Sequence, residues 1–170
     1  MEELFVRWLQ GGEQALVDRY LARAAAEPVL EALSPAALAA VCRGPRDAIH
    51  CPRCGGQPQL SYHALSGDPM VSGPRHLVCA RCLHAWVFTR MVCAGCGEAR
   101  GGRLPVLSEG ERLPHLRIDG CETCHRYLVT VDLRREAAAV PLIDELTAIP
   151  LDLHARERGL AKVVPNLMGI

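Results

Sequence analysis

The sequence predicts a small metal-binding α+β fold in which two tandem four-cysteine units are flanked by N- and C-terminal helices. Three observations predict it. Eight of the nine cysteines fall in four C-x-x-C pairs, those pairs form an internal repeat, and Ala- and Leu-rich stretches stand on either side. Of the 170 residues, 49% are hydrophobic, which implies a packed core and excludes global disorder. Aromatics are only 4%, so that core must rest on Leu, Val and Ala.

Residues 1–50 contain no C-x-x-C pair and read as a short helical region. Phe5, Trp8 and Leu9 fit a first amphipathic stretch that Gly11-Gly12 interrupts. Leu16, Val17, Tyr20, Leu21 and Ala24 then recur at helical spacing. Ser34-Pro35 supplies an N-cap and a first helical position for a third helix reaching about Val41. The stretch Arg43-Gly44-Pro45-Arg46 closes the region as a loop.

Residues 51–134 hold all four pairs, punctuated by Gly and Pro, and read as strands and loops rather than helix. Strands are expected at 76–79, 85–92 and 126–133. In the last, Tyr127, Val129, Val131 and Leu133 alternate with polar residues. Residues 135–170 return to a helical pattern, with Pro150 interrupting and Gly159 as a stop.

The repeat governs how the middle zone is read. Cys51, Cys54, Cys79 and Cys82 correspond to Cys93, Cys96, Cys121 and Cys124 at a constant offset of 42 residues. Both halves, 51–92 and 93–134, therefore read C-x2-C-x24-C-x2-C. A C-x-x-C knuckle turns two sulfurs toward one ion, and two knuckles complete a tetrahedral four-thiolate site. This points to two rubredoxin-like or zinc-ribbon units. Gly55 and Gly97 follow their second cysteines, where a left-handed backbone closes the turn. Leu83 and His125 hold the equivalent downstream places, so those turns are expected to be built differently.

Two pairings are open. In the sequential one, Cys51, Cys54, Cys79 and Cys82 hold one ion and Cys93, Cys96, Cys121 and Cys124 the other. In the interleaved one, the middle knuckles share an ion across the ten residues Leu83 to Val92, and the outer knuckles share the second. The repeat favours the sequential arrangement. Zinc is the favoured metal and iron the alternative, because tetrahedral thiolate sites accept both. Closed four-ligand sites are structural rather than catalytic, and in a segment poor in large apolar residues they supply folding free energy.

The remaining signals are weaker. A thioredoxin-like dithiol would need a βαβ setting that this segment lacks. Cys42, outside the pattern, reads as a small buried hydrophobe. His50 and His125 adjoin knuckle cysteines, but eight cysteines already complete two sites. Trp86 reads as a lid over the first cluster, or else as an exposed anchor for a partner. No G-x-S-x-G, phosphate loop or H-E-x-x-H is present, so nothing supports an enzyme. Nineteen basic residues balance nineteen acidic ones, which weighs against a nucleic-acid-binding zinc ribbon. A thiol redox or metal-transfer protein is the other alternative. No apolar run approaches the roughly 18 residues that span a bilayer, and the acidic start Met1-Glu2-Glu3 is unlike a signal peptide. A soluble intracellular protein is therefore expected.

The run Cys51-Pro-Arg-Cys54-Gly, then Leu77-Val-Cys79-Ala-Arg-Cys82, Trp86, Arg90 and Cys93-Ala-Gly-Cys96, resembles the formate dehydrogenase accessory protein FdhE family. The resemblance continues through Cys121-Glu-Thr-Cys124 with Tyr127, then Asp144-Glu-Leu, Leu151-Asp152, Glu157-Arg-Gly159 and Asn166. It implies a cytoplasmic maturation factor that binds the catalytic subunit of formate dehydrogenase without joining the finished complex. It also implies that the eight cysteines carry metal. Two features depart from the family. Only 50 residues precede Cys51, against a much longer helical region, and Leu128-Val129 stands where a lysine is common. These departures leave open a shortened paralogue serving a different molybdenum or tungsten oxidoreductase.

Overall fold

The computed structural model describes residues 2–42, 44–66 and 73–170; the expected loop at Arg43 thus lies partly outside them. Three helices come first: α1 (Glu2–Leu9), α2 (Leu16–Ala32) and α3 (Pro35–Val41). Ser34 caps α3 as expected, its Oγ accepting the Ala37 N–H at 3.3 Å, with Pro35 in the first turn. The helical spacing within α2 marks a helix but not its packed face. Leu16, Val17 and Leu21 are more than half exposed. Ala22, Arg23 and Leu30 point inward instead, the small Ala22 letting the helix approach closely.

The strands are β1 (Pro58–His63), β2 (Arg75–Cys79), β3 (Ala85–Phe88), β4 (Val106–Ser108), β5 (Leu116–Cys121), β6 (Arg126–Asp132) and β7 (Ala161–Lys162). They form one sheet in the order β3-β2-β1-β6-β5-β4, with β7 also paired to β6. Each cysteine repeat contributes an antiparallel meander, β1-β2-β3 or β4-β5-β6. The two meanders join through a parallel pairing of β1 with β6, Ser61 opposite Thr130 and His63 opposite Asp132.

Three expectations need correction. The strand expected over 85–92 ends at Phe88, because Met91 takes a left-handed backbone (φ 57°). Strands β1, β4 and β5 arise where no strand was expected; their partners supply the ladders that local pattern does not reveal. The tail is not all helix. Pro150 lies in the first turn of α5 (Ile149–Glu157), directly after α4 (Pro141–Thr147). Beyond the left-handed Gly159 (φ 75°) the chain becomes β7, where the Ala161 N–H donates to His125 O at 2.8 Å.

Strand β6 is buried on both faces. Tyr127, Val129 and Val131 pack with Leu116, Ile118, Ala148, Leu151 and Ala155 beneath α4 and α5. Leu128 faces the other way, against Leu77, Phe88, Ala94 and Val163. The seam between the meanders is polar. Ser61 Oγ and Thr130 Oγ1 share a hydrogen bond of 2.5 Å, and Thr130 donates to Asp119 at 2.7 Å. Asp119 accepts from Arg75 at 3.1 Å and from Arg117 at 2.9 Å.

A second buried polar cluster ties the tail to the sheet. Lys162, the single lysine, sits between Glu145 and Asp152, 3.1 Å from the latter. Tyr127 donates its hydroxyl to Asp152 at 2.9 Å, and Asn166 donates to Glu145 at 3.4 Å. Gln59 donates to Glu145 at 3.5 Å and accepts from Arg23 at 2.9 Å, which extends the network to α2.

Two stability measurements follow from these networks. Lys162→Met leaves Glu145 and Asp152 as buried carboxylates without their cation, and is expected to cost about 3–5 kcal/mol in denaturant unfolding. His63 is held neutral well into the acid range, its pKa lowered to about 4 by burial and by Arg117 and Arg90. The unfolded chain therefore takes up a proton, as pH falls from about 6.5 toward 4, that the folded chain refuses. Stability must fall with pH across that window, by at most about 1.4 kcal/mol per unit. His63→Gln should flatten the slope there; an unchanged slope would contradict the assignment.

Candidate metal centres

The eight paired cysteines converge as two quartets, and the grouping is sequential. Cys51, Cys54, Cys79 and Cys82 form one; Cys93, Cys96, Cys121 and Cys124 form the other. In each, the four Sγ atoms lie within 4.8 Å of one another. The interleaved pairing is not what the structure brings together. Each quartet instead joins the two knuckles that flank the strands of one meander.

Local turn chemistry explains the convergence. In the upstream knuckles the Gly55 N–H donates to Cys51 O at 2.8 Å and the Gly97 N–H to Cys93 O at 2.9 Å. Cys51 N–H then reaches Gly56 O, and Cys93 N–H reaches Glu98 O, both at 2.8 Å. Gly55 and Gly97 are left-handed, with φ of 70° and 78°. The downstream knuckles are built the same way, contrary to expectation. Leu83 and His125 adopt φ of 52° and 54° at the equivalent places. The geometry of the turn overrides the side-chain preference there. A methyl group on Gly56 would lie 2.8 Å from the Cys79 sulfur, so close packing around the quartet requires glycine.

The sulfur spacings suit a metal ion. Cys54 and Cys79 are 3.4 Å apart, Cys51 and Cys82 3.7 Å, Cys93 and Cys124 3.7 Å, and Cys96 and Cys121 3.8 Å. A tetrahedron with metal–sulfur bonds of about 2.3 Å has edges of about 3.8 Å, whereas a disulfide bond is about 2.0 Å. Each quartet can therefore hold one ion. Backbone donors support the sulfurs: Arg81 N–H on Cys79 and Gly95 N–H on Cys93, both at 3.3 Å. Within the first quartet, hydrogen bonds from the other three thiols favour the thiolate of Cys51. The same network and burial push Cys79 up. Burial likewise raises Cys93.

The two quartets differ in cover. All four sulfur residues of the first are fully buried, packed with Trp8, Ala22, Leu30 and Leu38 of the N-terminal helices. Trp86 is half-buried against this cluster, its Nε1–H donating to Ala48 O at 3.2 Å. In the second quartet Cys96 is exposed and Cys93 and Cys124 are half-buried. Its knuckles are clipped together by Glu98, which accepts from Arg100 at 2.6 Å and from Thr123 Oγ1 at 2.8 Å. The Arg100 contacts hold the Glu98 carboxyl well below the usual range.

The other sequence candidates lie outside the quartets. Cys42 is buried beside the first, and burial raises its thiol. His50 Nδ1 pairs with Asp47 at 2.7 Å, and His125 serves as the left-handed turn residue. The buried set Lys162, Glu145 and Asp152 escaped sequence reading. One lysine among eighteen arginines was the available signal.

Paired four-cysteine centres in one sheet, with helices at both ends, define a zinc-ribbon-like α+β protein. Residues 91–168 match the family model of the FdhE C-terminal domain, and the chain is similar in sequence to FdhE proteins. The FdhE homolog of Aquifex aeolicus is 35% identical over 120 residues, 71% of this chain and 41% of that protein. That of Pseudomonas putida is 31% identical over 121 residues, 69% of this chain and 37% of that protein. The crystal structure of the FdhE protein from Pseudomonas aeruginosa superposes with a TM-score of 0.70 at 27% identity, covering 96% of this chain and 56% of that one. The chain thus spans about two fifths of the curated relatives it matches. Among the described residues, no helix is long and apolar enough to cross a membrane.

The unequal cover has a kinetic consequence for metal loaded on both quartets. A chelator should remove one equivalent fast and one slowly, followed by a chromophoric indicator. Cys96→Ser should abolish the fast phase and leave the slow one. A single phase would contradict the structural difference.

Proposed function

We propose that this chain is a metal-binding accessory factor that binds the catalytic subunit of formate dehydrogenase, or of a related molybdenum or tungsten oxidoreductase, during its maturation. In this reading Cys51, Cys54, Cys79 and Cys82 hold one ion and Cys93, Cys96, Cys121 and Cys124 a second. Zinc is the favoured metal and iron the alternative. The observation that carries the proposal is the pair of tetrahedral-sized sulfur quartets, in a chain that matches FdhE proteins through both repeats and the tail.

The physical role of the ions follows from the turns they close. Each meander is short, and β3 and β4 have four and three residues. Sulfur ligation fixes the knuckles at one end of each meander, so the loops present a single surface. A surface ordered before contact loses less conformational entropy on binding. The ions act structurally in this account, and the chain performs no chemistry on the partner.

One feature supports a second reading, a thiol redox or metal-transfer protein: Cys96 is exposed while its quartet stays assembled. That reading requires rapid thiol labelling of the metal-loaded protein, and full protection would exclude it.

Affinity capture tests the main proposal. Metal-loaded chain should enrich the purified immature catalytic subunit, and the metal-stripped chain should not. Equal recovery by both forms, or none by either, would contradict it.

A further inference from the structure

We infer that a cavity beside the second quartet binds a small organic oxyanion, a carboxylate or phosphate ester with an apolar body. This goes beyond the accessory role and does not depend on it. The cavity has a volume of about 330 Å³, within the range of small-molecule sites. Part of the lining is apolar, from Leu104, Pro105, Val106 and Leu128. Much of the rest is cationic.

Five arginines line the cavity: Arg75 from β2, Arg117 from β5, Arg126 from β6, and Arg90 and Arg134 from loops. Against them stand Asp119 in the lining and Asp132, which pairs with Arg134 at 2.5 Å. A divalent ion on four thiolates adds two negative charges at the Cys93 end. The cavity still retains a net positive charge. Among the described residues, Arg90 and Arg126 have no carboxylate partner; Arg90 donates to Gly73 O.

The strand register separates the two ends. Arg126 lies opposite Cys121, beside the sulfur quartet. His63 lies opposite Asp132, and Arg117 opposite Thr130, at the far end of β6. That far end carries the second observation. His63 is 3% exposed, lines the cavity, and its Nδ1 has no hydrogen-bond partner. Its Nε2 lies 2.9 Å from Arg117 Nη2. Arg75, 5% exposed, is fixed by Ser61, Val92 O and Asp119, so its charge cannot swing to solvent. An orphaned ring nitrogen among fixed guanidinium groups is the environment an oxyanion completes, because arginine forks match carboxylate and phosphate oxygens. The anionic group belongs at the His63 end, away from the thiolates, with the apolar body against Leu104 and Pro105.

Calorimetric titration of the metal-loaded protein with benzoate, phenyl phosphate and neutral benzyl alcohol tests the inference. At least one anion should bind saturably, and benzyl alcohol at least about tenfold more weakly. Arg90→Ala should weaken the anion by about tenfold, with metal content and circular dichroism unchanged; Arg90→Lys should restore part of the loss. Preference for benzoate or for phenyl phosphate identifies which oxyanion the site takes. Absence of saturable anion binding, equal binding of benzyl alcohol, or anion binding unaltered in a folded Arg90→Ala protein would each overturn it.

Discussion

The convergence of four sulfurs from two knuckles is the constraint on which the rest of the structure depends. Each quartet draws one knuckle from the loop before its meander and one from a turn between strands. Neither knuckle can be displaced without moving a strand. The left-handed residues Gly55, Leu83, Gly97 and His125 show what that constraint imposes. Two of them are glycines that adopt the conformation freely, and two are residues held in it by their surroundings.

The two quartets are not equivalent, and the difference lies in what packs on them. The N-terminal helices close over the first, so α1, α2 and α3 complete a centre whose ligands all come from later in the chain. The second keeps an open side at Cys96 and is braced by the Glu98 clip. Between the centres, the β1–β6 seam is held by hydroxyls and an Arg–Asp pair rather than by apolar packing. Polar seams of this kind demand complete partnering, and Asp119 meets that demand by accepting from Thr130, Arg75 and Arg117. The tail is fixed by another such set around Lys162. A chain of four per cent aromatics thus supplements its small apolar clusters with ligation and buried ion pairs.

What could be read in the sequence follows from range. Knuckle spacing is local and repeated, so both quartets were legible as groups, as were the helix cap at Ser34 and the strand at Tyr127–Val131. The packed face of α2 was not, because Leu16 and Val17 are apolar on an exposed surface and Arg23 is polar in a buried one. Strand β1, with only Leu60 and Tyr62 as large apolar side chains, exists because β2 and β6 flank it. The parallel β1–β6 pairing joins residues about seventy positions apart and leaves no periodic mark. The arginine-lined cavity was invisible for the same reason: its residues come from β1, β2, β4, β5, β6 and the loops around them.

X-ray absorption at the metal edge, combined with elemental analysis of the purified protein, probes sulfur ligation most directly. About two ions per chain, each in a shell of four sulfurs at about 2.3 Å, is the outcome this account requires. Metal-free protein that keeps its fold, or a shell containing fewer sulfurs with nitrogen or oxygen in their place, would contradict it.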